Sequence, residues 1–520
     1  MNRSTSLFRS SLLITVLSLI SIGLGLATQI ILSRWFGAGV ELDAYFASSS
    51  VPNLFALVLT GSLTIVFVPV FLTYESQDST EQAWGVAGGF LNLLILVLGI
   101  ISILGVLLAP LVIRFLVPGY RIESLGYELV MTMFRIQWPI ILFSGINGVL
   151  SGIYYTQSRF ARPAAAPVIS SGCTLLFTLL LRQQVGIVST AIGSLIGPIV
   201  QTALLLPILI HNDYYRLHID WQHPGLRQVG KLMLPWVTFN ALAKGTSVLD
   251  TVLTSTLPAG SLSYLSYSNR LVNLTVNLIS RGTALSVFPR ISRSHAASDP
   301  ASFRLYFSIG IRFIGILAIP ATGALIAVRE PLMRMLFERG LFTSGDTTAT
   351  GLALAVYATA LTSLAFGSIV SNTFYARHDT LTPALIGFVG IFLQAGLAFL
   401  LIPYLSYLAM AVSFSVLACL KLSTMVYLLW RRTRLLDGQQ IVISLSRMVL
   451  AALLMYSWLT LALPRVEATA STATGLIVRL VPVGLIALAI YVFALFLLRS
   501  PELAILGKRF CGRILARDSV

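Results

Sequence analysis

Residues 84–113 read WGVAGGFLNLLILVLGIISILGVLLAPLVI. No charged side chain interrupts them, and a helix of this composition has no polar face to turn toward water. A helix needs roughly 20 apolar residues to cross ~30 Å of hydrocarbon, so this stretch spans a membrane with length to spare. Outward from it in both directions, apolar runs of the same kind recur from Ser11 to Leu498. Their lengths and the loop signals between them mark about fourteen spans. These fall at 11–33, 42–72, 84–113, 126–155, 163–182, 186–210, 229–256, 259–288, 303–328, 347–376, 380–403, 406–430, 441–463 and 474–498. The expected fold class is all-α, a polytopic membrane protein.

Composition agrees. Of 520 residues, 56% are hydrophobic and 10% charged, against about 25% charged in soluble domains. The connecting loops are short, the longest near 211–228, and leave no chain for a soluble catalytic domain. The net charge of +16 does not indicate nucleic acid, because membrane proteins concentrate Lys and Arg in cytoplasmic loops. Cys173, Cys419 and Cys511 are far apart and offer neither zinc spacing nor a disulfide framework. Arg3 and Arg9 precede an apolar run that is too long for a signal-peptide core and lacks a small-residue cleavage site, so it reads as a retained first helix.

Lys and Arg placement sets an expected orientation. With the N-terminus inside, the cytoplasmic side receives Arg3, Arg9, Arg159, Arg162, Arg216, Arg227, Lys231, Arg290, Arg293, Arg304, Arg377, the Arg431–Arg432–Arg434 group and the basic tail. The other side receives Arg34, Arg114, Arg121, Arg182, Arg329, Arg334, Arg339 and Arg465. That bias puts both termini in the cytoplasm. The acidic segment from Glu75 to Gln82 runs against it, but acidic residues weigh little in the rule.

A repeat runs through the chain at one gapless offset. Ser48, Asn53, Leu54 and Pro69 recur as Ser268, Asn273, Leu274 and Pro289; Ser151, Tyr155 and Pro163 recur as Ser371, Tyr375 and Pro383. The offset maps the second span onto the eighth. An even number of helices per copy keeps both copies in the same orientation, the parallel-repeat plan. The expected lobes are 1–212 and 228–430, each of six helices, with 441–498 as two additional helices.

No catalytic constellation is present, and no GxxxxGK[ST] loop for ATP, so the chain reads as a transporter and not an enzyme, with no cofactor. The informative residues are ionisable groups at membrane depth, which cost at least ~2.5–3.5 kcal/mol at the bilayer centre and normally face a cavity or a partner. Arg270 and Arg281 lie in the eighth span, Lys244 and Asp250 in the seventh, Arg135 in the fourth and Lys421 in the twelfth; Asp43 lies near the outer start of the second. Arg270 and Arg281 are about three turns apart and share a helix face. A cationic stripe of this kind suits an anionic cargo, and the planar guanidinium fork suits phosphate. Each has a plainer alternative: Arg281 snorkelling to the cytoplasmic edge, Arg135 at an interface beside Trp138 and Pro139, and Asp43 as a helix cap. Lys244 and Asp250, six residues apart, are poorly placed to neutralise each other.

The stretch from Arg34 to Gly39, with Asp43-Ala44-Tyr45-Phe46 and Pro52-Asn53-Leu54, resembles a signature of the MurJ (MviN) family of lipid II flippases. Phe374 to Pro383, Leu336 to Thr343 and the region of Ser268-Asn269-Arg270-Leu271 resemble further parts of that family. The resemblance implies fourteen helices in a two-lobed fold like that of MATE-type multidrug exporters. The implied cargo is an undecaprenyl-diphosphate-linked peptidoglycan precursor, lipid II, turned from the inner to the outer leaflet. The resemblance also implies cavity arginines and an Asp near the outer gate, at which Arg270 and Asp43 stand. Two further arginines that it implies are Thr28 and Ala56 here, and Arg281, Lys244 or Lys421 would have to make up the charge. It implies a monovalent-cation site at Asp250 and Gln394, where Ala398 replaces a second carboxylate and Lys421 brings a positive charge.

Other readings stay open by class. A flippase for another lipid-linked oligosaccharide shares every feature above. A membrane polymerase or ligase would carry catalytic residues on long external loops, and a cation exporter would show an acidic cavity. The expected partners are the lipid-linked saccharide, membrane lipids and a monovalent cation, with no nucleic acid.

Overall fold

Apolar length and backbone self-sufficiency leave one solution in hydrocarbon, the helix, and the computed structural model is helical throughout. It describes residues 3–77, 80–210, 224–297, 299–377, 379–433, 438–469, 473–500 and 502; the expected long loop near 211–228 lies mostly outside the described residues, as does most of the basic tail. The helices are α1 (Arg3–Phe36), α2 (Val40–Gln77), α3 (Thr80–Leu107), α4 (Ala109–Leu116), α5 (Leu125–Gln137), α6 (Ile140–Thr156), α7 (Ala161–Val185), α8 (Val188–Leu205), α9 (Pro207–Ile210) and α10 (Pro224–Lys244). They continue as α11 (Thr246–Thr254), α12 (Ser261–Ala296), α13 (Pro300–Ala327), α14 (Arg329–Phe337), α15 (Ser344–Ala376), α16 (Leu381–Leu405), α17 (Leu408–Thr433), α18 (Gly438–Thr469) and α19 (Ala473–Leu497).

Each expected span is helical. Among the described residues, 12 stretches are long and apolar enough to cross a membrane. The two expected spans not among them are α10–α11 and α12, the helices that carry Lys244, Asp250, Arg270 and Arg281. The fourth span is broken at Trp138–Pro139 into α5 and α6, because proline cannot donate into the ladder.

The repeat is written into the helix boundaries. The pairs α4 and α14, α7 and α16, and α8 and α17 each begin 220 residues apart, and α6 and α15 end 220 residues apart. Even the turn after the fifth helix of each copy is shared: Gly186 has φ 57 and ψ −135, Ser406 φ 50 and ψ −131. Serine holds there a backbone conformation that glycine adopts freely.

By contact the chain divides into two compact units, Met1–Ser263 and Tyr264–Val520. The lobes expected from the repeat are a different division, since α10 and α11 pack on α2 in the first unit. In that unit α7 and α8 pack most intimately. A Cβ on Gly197 would lie 2.7 Å from Ser170 Oγ and 2.8 Å from the Ser170 carbonyl oxygen, so the backbones meet without side chains between them. Thr178 and Thr190 hydrogen-bond across the same contact. In the second unit α15 packs on α13 and α17, and α18 packs on α13 and α19.

Candidate functional site

The α2 helix starts at Val40, so Asp43 lies in its first turn. Its carboxylate does not turn back on α2. Oδ2 accepts the Gly260 backbone N–H at 2.6 Å; Oδ1 accepts the Ser263 N–H at 2.8 Å and the Ser263 hydroxyl at 2.5 Å. Gly260 and Ser263 flank the start of α12, where backbone N–H groups have no partner within the helix. Asp43 is therefore an anion set on the N-terminus of another helix, where the dipole also favours negative charge. It is 4% exposed, so water does not compete for these bonds. Tyr120 lies beside it in the turn before α5; burial, and then the Asp43 carboxylate, push its phenol above the ordinary range. In the gapless register of the repeat, Asp43 and Ser263 are the same position: the sequence separation of this bond is 220.

Below that contact α12 is polar along one stripe. Arg270 follows Ser263 by seven residues, two turns along the same face and ~10 Å deeper. Arg270, Asn273 and Asn277 are all exposed, at spacings of three and four residues. Asn273 Nδ2 donates to the Asn269 carbonyl oxygen at 3.0 Å and also bonds Asn269 Oδ1. Against lipid, a guanidinium and two primary amides at this depth would forfeit hydrogen bonds they hold in water. A helix face of this kind suits contact with water and not with lipid. Arg270 was marked in the sequence by its charge. Asn273 and Asn277 were not, although their helical spacing from Arg270 was a readable signal.

The other expected site residues are placed as follows. The side chains of Arg281 and Lys244 lie outside the described residues. Asp250 on α11 is buried in the first unit; Gln394 on α16 is buried and Lys421 on α17 exposed in the second. Ala398 is fully buried near Gln394 in sequence. Thr28 is buried with its hydroxyl returned to the Leu24 carbonyl oxygen at 2.9 Å, so that place carries no donor for a ligand. Sequence reasoning missed a buried charge pair, Arg312 on α13 with Glu502.

The family whose description is lipid II flippase MurJ matches residues 32–481. A lipid II flippase MurJ of Burkholderia cenocepacia is 26% identical over 424 residues, covering 80% of this chain and 82% of the relative. A probable lipid II flippase MurJ of Bdellovibrio bacteriovorus is 29% identical over 381 residues, covering 72% and 73%. Among solved structures, a lipid II flippase MurJ in an inward closed conformation superposes with a TM-score of 0.79 at 22% identity, over 93% of this chain and 98% of the other. An inward-facing multidrug transporter of the MATE family gives 0.70 at 15% identity, over 80% and 94%. At those identities the superpositions establish the fold, a multi-pass helical membrane architecture shared with MATE exporters. The match across 450 of the 520 residues establishes more: this chain belongs to the MurJ lipid II flippase family.

Proposed function

We propose that this chain moves lipid II, the undecaprenyl-diphosphate-linked peptidoglycan precursor, from the inner to the outer leaflet by alternating access. The observation that carries the reading is the exposed stripe of Arg270, Asn273 and Asn277 on α12, in a chain of this family. Arg270 holds the diphosphate through two parallel N–H···O bonds. The asparagines, each donor and acceptor, take sugar hydroxyls. Asp43 latches the start of α2 to the start of α12 while the outer side is shut, and lets go when cargo leaves. The repeats 1–212 and 228–430 are the moving lobes, and both termini are cytoplasmic. A monovalent cation couples the cycle to a gradient, with Asp250, Gln394 and Lys421 as the residues that the family resemblance nominates for it.

A second reading keeps the mechanism and changes the cargo to another lipid-linked oligosaccharide. Thr28 and Ala56 favour it, because the first lobe then grips the diphosphate with fewer cations than the family pattern implies.

One experiment separates these. The chain is expressed in a strain depleted of its own lipid II flippase, and flipping of labelled lipid II is followed in vesicles. Growth and flipping are expected from the wild type, neither from Arg270→Ala, and little from Arg270→Lys, which keeps charge and loses the fork. Full insertion without growth or lipid II flipping refutes the lipid II reading. Wild-type rates from Arg270→Ala remove Arg270 from the site.

A further inference from the structure

Arg312 is twelve residues into α13, ~18 Å along it. A guanidinium at that depth needs a partner, and the partner comes from beyond the last span. After α19 the chain turns at Arg499, with φ 50, and the Ser500 N–H returns to the Leu495 carbonyl oxygen at 3.0 Å. The turn brings Glu502 back onto the bundle. Arg312 Nε donates to Glu502 Oε1, which also accepts the Ser444 hydroxyl of α18 at 2.6 Å; Ser500 donates to Oε2. The side chains of Arg312 and Glu502 are 13% and 3% exposed. Burial alone would raise the Glu502 carboxyl, but hydrogen bonds from Ser444, Ser500 and Arg312 hold it below the usual carboxylate range. On the same side Arg447 of α18 donates to the Arg499 carbonyl oxygen at 3.1 Å. One carboxylate thus ties α13, α18 and the end of α19.

Further along the same three helices the contact is apolar. Ile316 of α13, Met448, Met455 and Leu459 of α18, and Tyr491 and Leu495 of α19 form one buried cluster. Inside it the Tyr491 hydroxyl donates to the Ile316 carbonyl oxygen at 3.1 Å. The packing continues to Gly323, where a Cβ would stand 3.9 Å from the Tyr456 Cβ. A contact that is charged and saturated at one end, apolar in the middle and close at the other has no plane along which to slide. Moving α18 and α19 together off α13 would leave a buried arginine and a buried glutamate unpaired, the costly way to break such a pair.

We infer that α13, α18 and α19 move as one rigid body through the transport cycle, with Glu502 as the clasp that joins the two helices outside the repeat to the rest of the second unit. The inference rests on the transport reading only for its readout.

The cross-link geometry is already present, since 3.9 Å lies within the Cβ–Cβ range of a disulfide. Gly323→Cys and Tyr456→Cys are combined in a chain with Cys173, Cys419 and Cys511 changed to Ala. The pair is expected to cross-link, and the oxidised protein to flip lipid II in vesicles at the rate of its reduced form. A cross-linked protein that is blocked while the reduced form works overturns the rigid body, as does a pair that never cross-links. If the reduced form itself does not flip, the transport reading has failed instead. In parallel, Glu502→Ala is expected to lower the melting temperature, and Arg312→Met with Glu502→Leu to restore it. No change in Glu502→Ala would overturn the clasp.

Discussion

Replacing Asp43 by asparagine removes one acceptor and adds a donor, and the geometry says what that does. The carboxylate uses both oxygens: Gly260 on Oδ2, Ser263 twice on Oδ1. An asparagine offers one carbonyl oxygen. If that oxygen keeps Ser263, the amide NH2 meets the Gly260 N–H, donor against donor; if it flips, the conflict moves to Ser263. Either way a buried donor is left unsatisfied, at about 1–3 kcal/mol. The closed latch should therefore lose population by about 5- to 150-fold. Hydrogen exchange of a peptide covering 257–265, read by mass spectrometry on the purified protein, reports that population directly through the Gly260 and Ser263 amides. Exchange should quicken by that factor in Asp43→Asn and by less in Ser263→Ala, which keeps both backbone bonds. An asparagine variant that exchanges like the wild type would sink the latch, whatever its effect on transport.

Two further tests address the frame. Gly197→Ala places a methyl 2.7–2.8 Å from Ser170 atoms that include backbone, so α7 and α8 must part; overpacking of this kind costs about 1–3 kcal/mol, and a melting temperature equal to the wild type would contradict the close approach. Reporter fusions after Arg34 and after Arg432 should report opposite sides of the membrane, and the same side for both would break the fourteen-span order.

The spans were legible because length and apolarity decide them without reference to anything else. Their interruptions were less so. The breaks at Pro139 and at Gly245 depend on which carbonyl groups can stay unpaired, and α4 and α14 are short helices of 8 and 9 residues that hydropathy either merges with a span or leaves as loop. At the site, charge was the visible signal. It singled out Arg270 and Asp43 as candidates, but passed over Asn273 and Asn277, which carry no charge and are still costly to set against lipid. Arg312 carried the same signal, a charge inside the ninth expected span, but its pairing was not readable, because no periodicity within a helix connects residues 190 apart.

The repeat explains why the Asp43 contact can form at one position of two copies. Asp43 and Ser263 are counterparts, and they bond to each other. Two serines there would give one neutral hydrogen bond of about 1 kcal/mol. Two aspartates would bury like charges in contact, and one would have to take up a proton. One of each makes a charged acceptor face a hydroxyl and a helix N-terminus, the strongest of the three combinations. Ser48 and Ser268, a turn further along the same two helices, show the opposite case. Ser48 bonds Gln137 of α5, and Ser268 the Thr350 carbonyl oxygen of α15, each within its own copy. Those positions are serine in both copies. The repeat thus sets counterpart residues against each other at Asp43 and Ser263, and packs them within their own copies at Ser48 and Ser268.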